Sequence, residues 1–252
     1  MSLQSEAPPA GAEPSRSLSL AGRLVAIFVR PAQAWSGLHE HGQWWFPMLL
    51  CMLLQMGLWL PLYERAYLPM YFEQLDAQIA SGAIEPAQAA KAEEIMGAKA
   101  MGPILAVVSG VSGAAITFGL ALVIAFGVAF ILGAKFKYRL ALEVAAWSGL
   151  VGIPQQLAFT ALAWSQETMK GIHFGLAAFL PEADPPAKWH TMLTVLLDAF
   201  GPFNVWFVVV AVLGCSALSG APRRSVAWVL GGLAVALAVV SALLAGWLSP
   251  AT

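Results

Sequence analysis

Charge is what this sequence has least of. Asp, Glu, Lys and Arg make up 11% of its 252 residues, less than half of the roughly 25% found in a soluble globular domain. So few charges cannot build a water-solvated surface, and 59% of the chain is hydrophobic, so lipid must solvate much of it. The net charge of −1 gives no general attraction for nucleic acid. Basic residues gather beside apolar stretches, where membrane topology accounts for them, and no nucleic-acid partner is expected. Cysteine is nearly absent. Cys51 and Cys215 both fall inside apolar stretches, where a free thiol behaves as a small hydrophobe, and they form no metal or redox motif. His39, His41, His173 and His190 do not have the two-His helical spacing of a zinc protease. With no Gly-rich phosphate loop, no nucleophile elbow and no paired active-site carboxylates, neither a cofactor nor an enzymatic activity is expected.

What is abundant is long apolar sequence. The hydrocarbon core of a bilayer is about 30 Å thick and a helix rises about 1.5 Å per residue, so a crossing takes roughly 20 apolar residues. Five stretches meet or approach this, near 44–62, 103–132, 142–164, 203–218 and 226–248. The expected fold is an all-α integral membrane protein, a bundle of about five transmembrane helices in one membrane domain over 44–252. The fourth stretch is short and spans comfortably only if Thr191–Phe200 contributes a turn or more.

Orientation follows the basic residues, which are retained on the cytoplasmic side. An N-terminus inside places Arg16, Arg23, Arg30, Lys135, Lys137, Arg139, Arg223 and Arg224 in the cytoplasm, eight of the 13 Lys and Arg. The long segments 63–102 and 165–190 carry most of the acids and lie opposite, and five spans put the C-terminus outside. Trp44, Trp45, Phe136, Tyr138 and Trp228 at one boundary, with Trp59, Tyr63, Trp164 and Trp247 at the other, form the expected aromatic belts. This reads as a multi-pass protein of a cell membrane.

Outside the spans, residues 1–19 are rich in Pro, Ser, Ala and Gly with no apolar period, which predicts a disordered tail. Leu24–Val29 is too short for the apolar core of a signal peptide, so this end is expected to be retained. Over 20–43, Leu20, Leu24, Ile27, Phe28, Trp35 and Leu38 recur at helical spacing beside Arg23 and Arg30. This predicts an amphipathic segment on the cytoplasmic membrane surface, although a partner-binding helix has the same pattern. Glu85-Pro86 opens a short extramembrane helix over Ala87–Met101. Ile172–Leu180 is apolar but too short to cross, and is expected to dip into the outer interface or to cover the bundle.

Ionisable and amide groups at membrane depth are the candidates for function, because desolvating them is costly. Glu143 begins the third span, where the helix dipole and Arg139 four residues back would also hold it structurally. Asp198 precedes Gly201-Pro202, which is either a helix break of the kind that builds transporter sites or the end of a surface helix turning into span four. Gln155 and Gln156 follow Pro154 and can satisfy the carbonyl it frees or bond a neighbouring helix. Small residues four apart, Ser109 with Gly113, Ala227 with Gly231 and Ala242 with Gly246, would let helices approach closely.

Three stretches carry a family pattern. They are Phe28-Val29-Arg30-Pro31 with Trp35; Lys137-Tyr138-Arg139 through Trp147-Ser148 to Ile153-Pro154; and Leu197-Asp198-Ala199-Phe200 through Asn204-Val205-Trp206 to Leu213-Gly214. In these the chain resembles the Yip1-domain membrane proteins, bacterial branch, over roughly 25–245, departing at Gly201-Pro202. The third stretch adds Asn204 to the candidates. The resemblance implies a multi-pass membrane protein with no catalytic residues; eukaryotic relatives are similar to trafficking factors that bind small GTPases and shape membranes. The expected role is a non-enzymatic scaffold that organises lipid or recruits a membrane partner, which includes a second copy of itself. A small permease or a transporter's accessory subunit is the alternative. An intramembrane enzyme would need a polar constellation assembled from several spans.

Overall fold

The computed structural model describes residues 18–181, 183 and 187–249. The tail expected over 1–19 lies outside these as far as Ser17, as do Glu182, Asp184, Pro185 and Pro186 of the acidic linker. Among the described residues every regular element is helical. Four helices are long and apolar enough to cross a membrane: Trp45–Ala80, Met101–Ile131, Pro202–Ser219 and Arg223–Leu248.

The first helix, α1 (Leu20–Val29), starts where the Ser19 side-chain oxygen accepts the Gly22 N–H at 3.1 Å, a cap that satisfies one unpaired donor of the first turn. The chain then turns through Arg30–Gln43 into α2 (Trp45–Leu62), which runs without a break through a wide turn at Tyr63–Tyr67 into α3 (Leu68–Ala80). Pro69, in the first turn of α3, offers no N–H to the Arg65 carbonyl and its ring crowds that carbonyl, which is the local reason the regular ladder widens there. At 36 residues this rod is about 54 Å long, so α3 extends well past a single hydrocarbon thickness. Helix α4 (Pro86–Gly97) folds back beside it, and the Tyr63 hydroxyl donates to the Met96 carbonyl. Helix α5 (Met101–Ala125, continuing to Ile131) returns along α2. Gly110 permits this: a Cβ there would lie 2.7 Å from Met56 Cγ.

The third span is where the structure departs from a simple reading. In place of one helix over 142–164 there are two in series, α6 (Tyr138–Gly149) and α7 (Ile153–Gln166), joined by a tight turn at Leu150–Gly152. Pro154 is the cause, because it offers no N–H to the Leu150 carbonyl and its ring crowds that carbonyl. Residues Leu140 to Ser148 of α6 are all buried. Nine consecutive buried residues leave no face for solvent or lipid, so α6 is the axis around which α1, α2, α5 and α9 pack.

The fourth span begins at Pro202, the first residue of α9 (Pro202–Ser219). Thr191–Phe200 does not lengthen it. Most of that segment belongs to α8 (Lys188–Asp198), a separate helix packed along α10 (Arg223–Leu248) with Met192 seated against Gly246. Gly201 is extended, with ψ 154°, and Pro202 is well placed at a first helical position. Gly220, at φ 73°, ends α9 in the left-handed conformation that glycine tolerates. Of the small-residue pairs, Gly113 faces Gln55 and Gly246 faces Met192, whereas nothing lies within 4 Å of a Cβ at Gly231. The outer surface is apolar, with Ile116, Phe130, Trp228 and Trp247 each more than 60% exposed.

Candidate functional site

Polar groups collect in two places, and the five sequence candidates divide between them. The first is a buried knot between the N-terminal arm and α6. The apolar stripe of the arm is turned inward: Ile27, Trp35 and Leu38 belong to the main core, with Leu20 and Leu24 packed against it. The faces of α1 left outside are Val25, Phe28 and Val29.

Arg23 lies within that stripe and is 1% exposed. Its guanidinium donates to Gln43 Oε1 at 3.1 Å, to the Ser36 carbonyl at 2.9 Å and to the Ala34 carbonyl, and it sits 5.6 Å from the centre of the Trp147 ring. Burial pushes the guanidinium below its ordinary value while the Glu143 carboxylate pulls it back up; an arginine remains protonated under either influence. Glu143 is fully buried. Its Oε1 accepts the Gln43 N–H at 2.7 Å and lies 3.8 Å from Arg139 Nη1, and Arg139 in turn donates to the His39 carbonyl at 2.6 Å. Through Oε1 Glu143 fixes the arm onto the central helix, while its Oε2 is buried without a hydrogen-bond partner.

The second place is a groove of about 770 Å³ walled by α7, the end of α8, α9 and α10. Gln155, Asp198 and Asn204 line it together, so three of the five candidates meet although they lie up to 49 positions apart in sequence. Gln156 and Glu143 do not line it. The remaining wall is mainly apolar, including Phe159, Phe207, Val208 and Ala234. Val205, Val209, Val235 and Leu237 line the groove and are themselves exposed. It therefore opens through the outer surface of the bundle, between helices, rather than along its axis.

The polar end of the groove is built on the α8–α9 junction. His173 Nδ1 lies 2.6 Å from Asp198 Oδ2, and Asn204 Nδ2 donates to the Asp198 carbonyl at 3.1 Å. Asp198 Oδ1 is withdrawn from solvent with no partner. The 172–175 loop can approach this closely only because residue 175 is glycine: a Cβ there would lie 2.6 Å from Asp198 Cα. Sequence reading missed His173 and Arg23. No spacing rule pairs His173 with an acid 25 residues away. For Arg23 a signal existed, since it falls between Leu20 and Ile27 on the same helical face.

Comparison with protein-family models matches residues 25–245 to the Yip1 domain. The chain belongs to the Yip1 family. No curated protein and no solved structure matches it. The matched region runs from within α1 almost to the end of α10, so the central helix, the groove and the arm from Val25 onward are parts of the Yip1 domain, with Arg23 just before its first matched residue. Stretches separated in the sequence pattern also meet in space. Trp35 of the first lies on Gly214 of the third, where a Cβ would come 2.7 Å from its ring, and Trp147 of the second lies beneath Arg23 of the arm. Among the described residues, no group of three or more His, Cys, Asp and Glu is placed to hold a metal ion.

Proposed function

We propose that this Yip1-domain protein is a non-enzymatic organiser of the bilayer, which holds a membrane lipid in its lateral groove. The observation that carries the reading is the groove itself: a mainly apolar trough that opens between helices where lipid is the solvent, with Asp198 and Asn204 bonded to each other in its wall. Such a site matches an amphiphile, whose chains follow the apolar wall while its head meets the polar end. Its volume lies within the roughly 300–1,000 Å³ of small-molecule sites. The setting we favour is a bacterial inner membrane with the basic end of the bundle in the cytoplasm, supported by the basic connections at Lys135–Arg139 and Arg223–Arg224.

One observation favours the permease alternative, namely the convergence of Gln155, Asp198 and Asn204 on one groove. Against it, the groove faces outward, and Glu143, the most deeply placed acid, is engaged with the arm. The test is photo-crosslinking of the full chain with a lipid carrying a diazirine in its acyl chain. Labelling of α9 and α10 that Ala234→Trp abolishes supports the lipid site. Solute flux into proteoliposomes that Asp198→Asn abolishes, with no lipid labelling, would replace it with the permease.

A further inference from the structure

The lateral groove shows a chemical preference at its polar end, a preference that rests on reading the groove as a lipid site. Its polar side chains include one carboxylate and no fixed cation. Gln155, Asp198, Asn204 and Ser241 are the polar side chains that line it, and no Lys or Arg does. The basic residue of the loop leading into it, Lys170, is held by Glu73 at 3.1 Å. His173 is beside the groove, but its Nδ1 is committed to Asp198 Oδ2 at 2.6 Å. Whatever the protonation of that ring, the pair carries a net charge of zero or minus one and never a positive one. Asn204 spends one N–H on the Asp198 carbonyl, and its amide oxygen can accept while its second N–H can still donate. Asp198 has one oxygen with no partner, and its side chain is 36% exposed. That oxygen, Oδ1, is itself withdrawn from solvent, so the face that Asp198 turns to the groove carries Oδ2, and a carboxylate oxygen that meets one imidazole nitrogen keeps a second lone pair for another donor.

From this arrangement we infer that the groove selects a lipid whose head donates hydrogen bonds and bears no net negative charge, an ammonium zwitterion such as an ethanolamine head. An ammonium gains a charge-assisted bond to Asp198 and a further acceptor in Asn204. A bare phosphate head meets a carboxylate and no cation, and a like charge in a partly desolvated site is unfavourable. A choline head has the same net charge as ethanolamine and no N–H to donate, so it separates hydrogen bonding from charge alone.

The experiment titrates the full chain in detergent micelles with three photoactivatable lipids of identical acyl chains bearing ethanolamine, choline or phosphatidate heads, and locates the cross-links by mass spectrometry. Half-maximal labelling by the ethanolamine probe is expected at roughly tenfold lower concentration than by the other two, the factor that one charge-assisted hydrogen bond supplies. Asp198→Asn is expected to keep the labelling and bring the three probes together. Equal labelling by ethanolamine and choline, a preference for phosphatidate, or selectivity unchanged in Asp198→Asn each overturns the inference. The wild-type comparison stands even if a variant folds poorly. Failure of the groove reading looks different: labelling by all three probes then survives Ala234→Trp.

Discussion

Replacing Arg23 by methionine keeps the length and apolar stem of the side chain while removing its guanidinium. In the folded protein that group donates three hydrogen bonds, to Gln43, Ala34 and Ser36, from a site 1% exposed. Bonds to a charged group contribute about 1.5–3 kcal/mol each, but a well-packed methionine recovers part of the loss through burial. The change also removes one of the two positive charges near Glu143, which keeps Arg139 at 3.8 Å and the Gln43 N–H at 2.7 Å, so the electrostatic part of the loss is partial. A net loss of about 3 kcal/mol is expected, which for a chain of this size lowers the melting temperature by roughly 6–12 °C. The assay is thermal unfolding in detergent followed by tryptophan fluorescence, because Trp35 and Trp147 are both buried in this region. The decisive version is a cycle with Glu143→Leu. If the two groups form one electrostatic unit, the double variant is less destabilised than the sum of the singles by about 1–3 kcal/mol. An Arg23→Met protein within about 0.5 kcal/mol of wild type, or singles that simply add, would refute the argument that the knot secures the arm.

Gly214→Ala places a methyl 2.7 Å from the buried Trp35 ring and should cost about 1–3 kcal/mol by overpacking, seen as a lower melting temperature. Gly175→Ala meets backbone at 2.6 Å, which cannot rotate aside; a similar loss is expected, together with separation of His173 from Asp198 that the histidine's NMR chemical shift would report. Glu73→Gln breaks a pair whose members are 42% and 68% exposed, and denaturation should register less than about 1 kcal/mol. Gly231→Leu fills a part of the groove where nothing approaches a Cβ, so it should leave stability intact while weakening lipid labelling.

The membrane class and the helical bundle were legible because hydrophobic length is a one-dimensional property. The stretches at 103–132 and 226–248 needed no tertiary information to be read. The third stretch has the same apolar length, yet Pro154 divides it, and only the fold shows that its first half is enclosed by protein. The arm was harder for a related reason. A stripe such as Leu20, Leu24 and Ile27 shows that one face of a helix seeks an apolar neighbour without showing whether that neighbour is lipid or the bundle. Gln155, Asp198 and Asn204 could be nominated individually from the cost of burying polarity in a membrane. Their convergence depends on how α7, α8 and α9 cross, and the partnership of His173 with Asp198 depends on Gly175 letting a loop lie flat on a helix junction. Neither leaves a periodic trace.

The enclosure of α6 bears on the order in which the protein is made. Charge opposes insertion of a helix into the bilayer, and the Tyr138–Gly149 helix carries Arg139 and Glu143 in its first two turns. Neither half of the α6–α7 pair is among the helices long and apolar enough to cross a membrane. This pair leaves the ribosome after α5 and before α9 and α10, two of the helices that complete the bundle. Its α6 half must therefore wait beside the insertion machinery or the nascent α2–α5 hairpin, because free bilayer offers no gain to a helix whose neighbours are to be protein on every side, whereas α7 keeps Leu157 and Trp164 on the outer surface. Truncating synthesis after Gln166 should yield a chain whose Glu143 region is still accessible from the aqueous phase, and extending it through Leu248 should close that access in a single step.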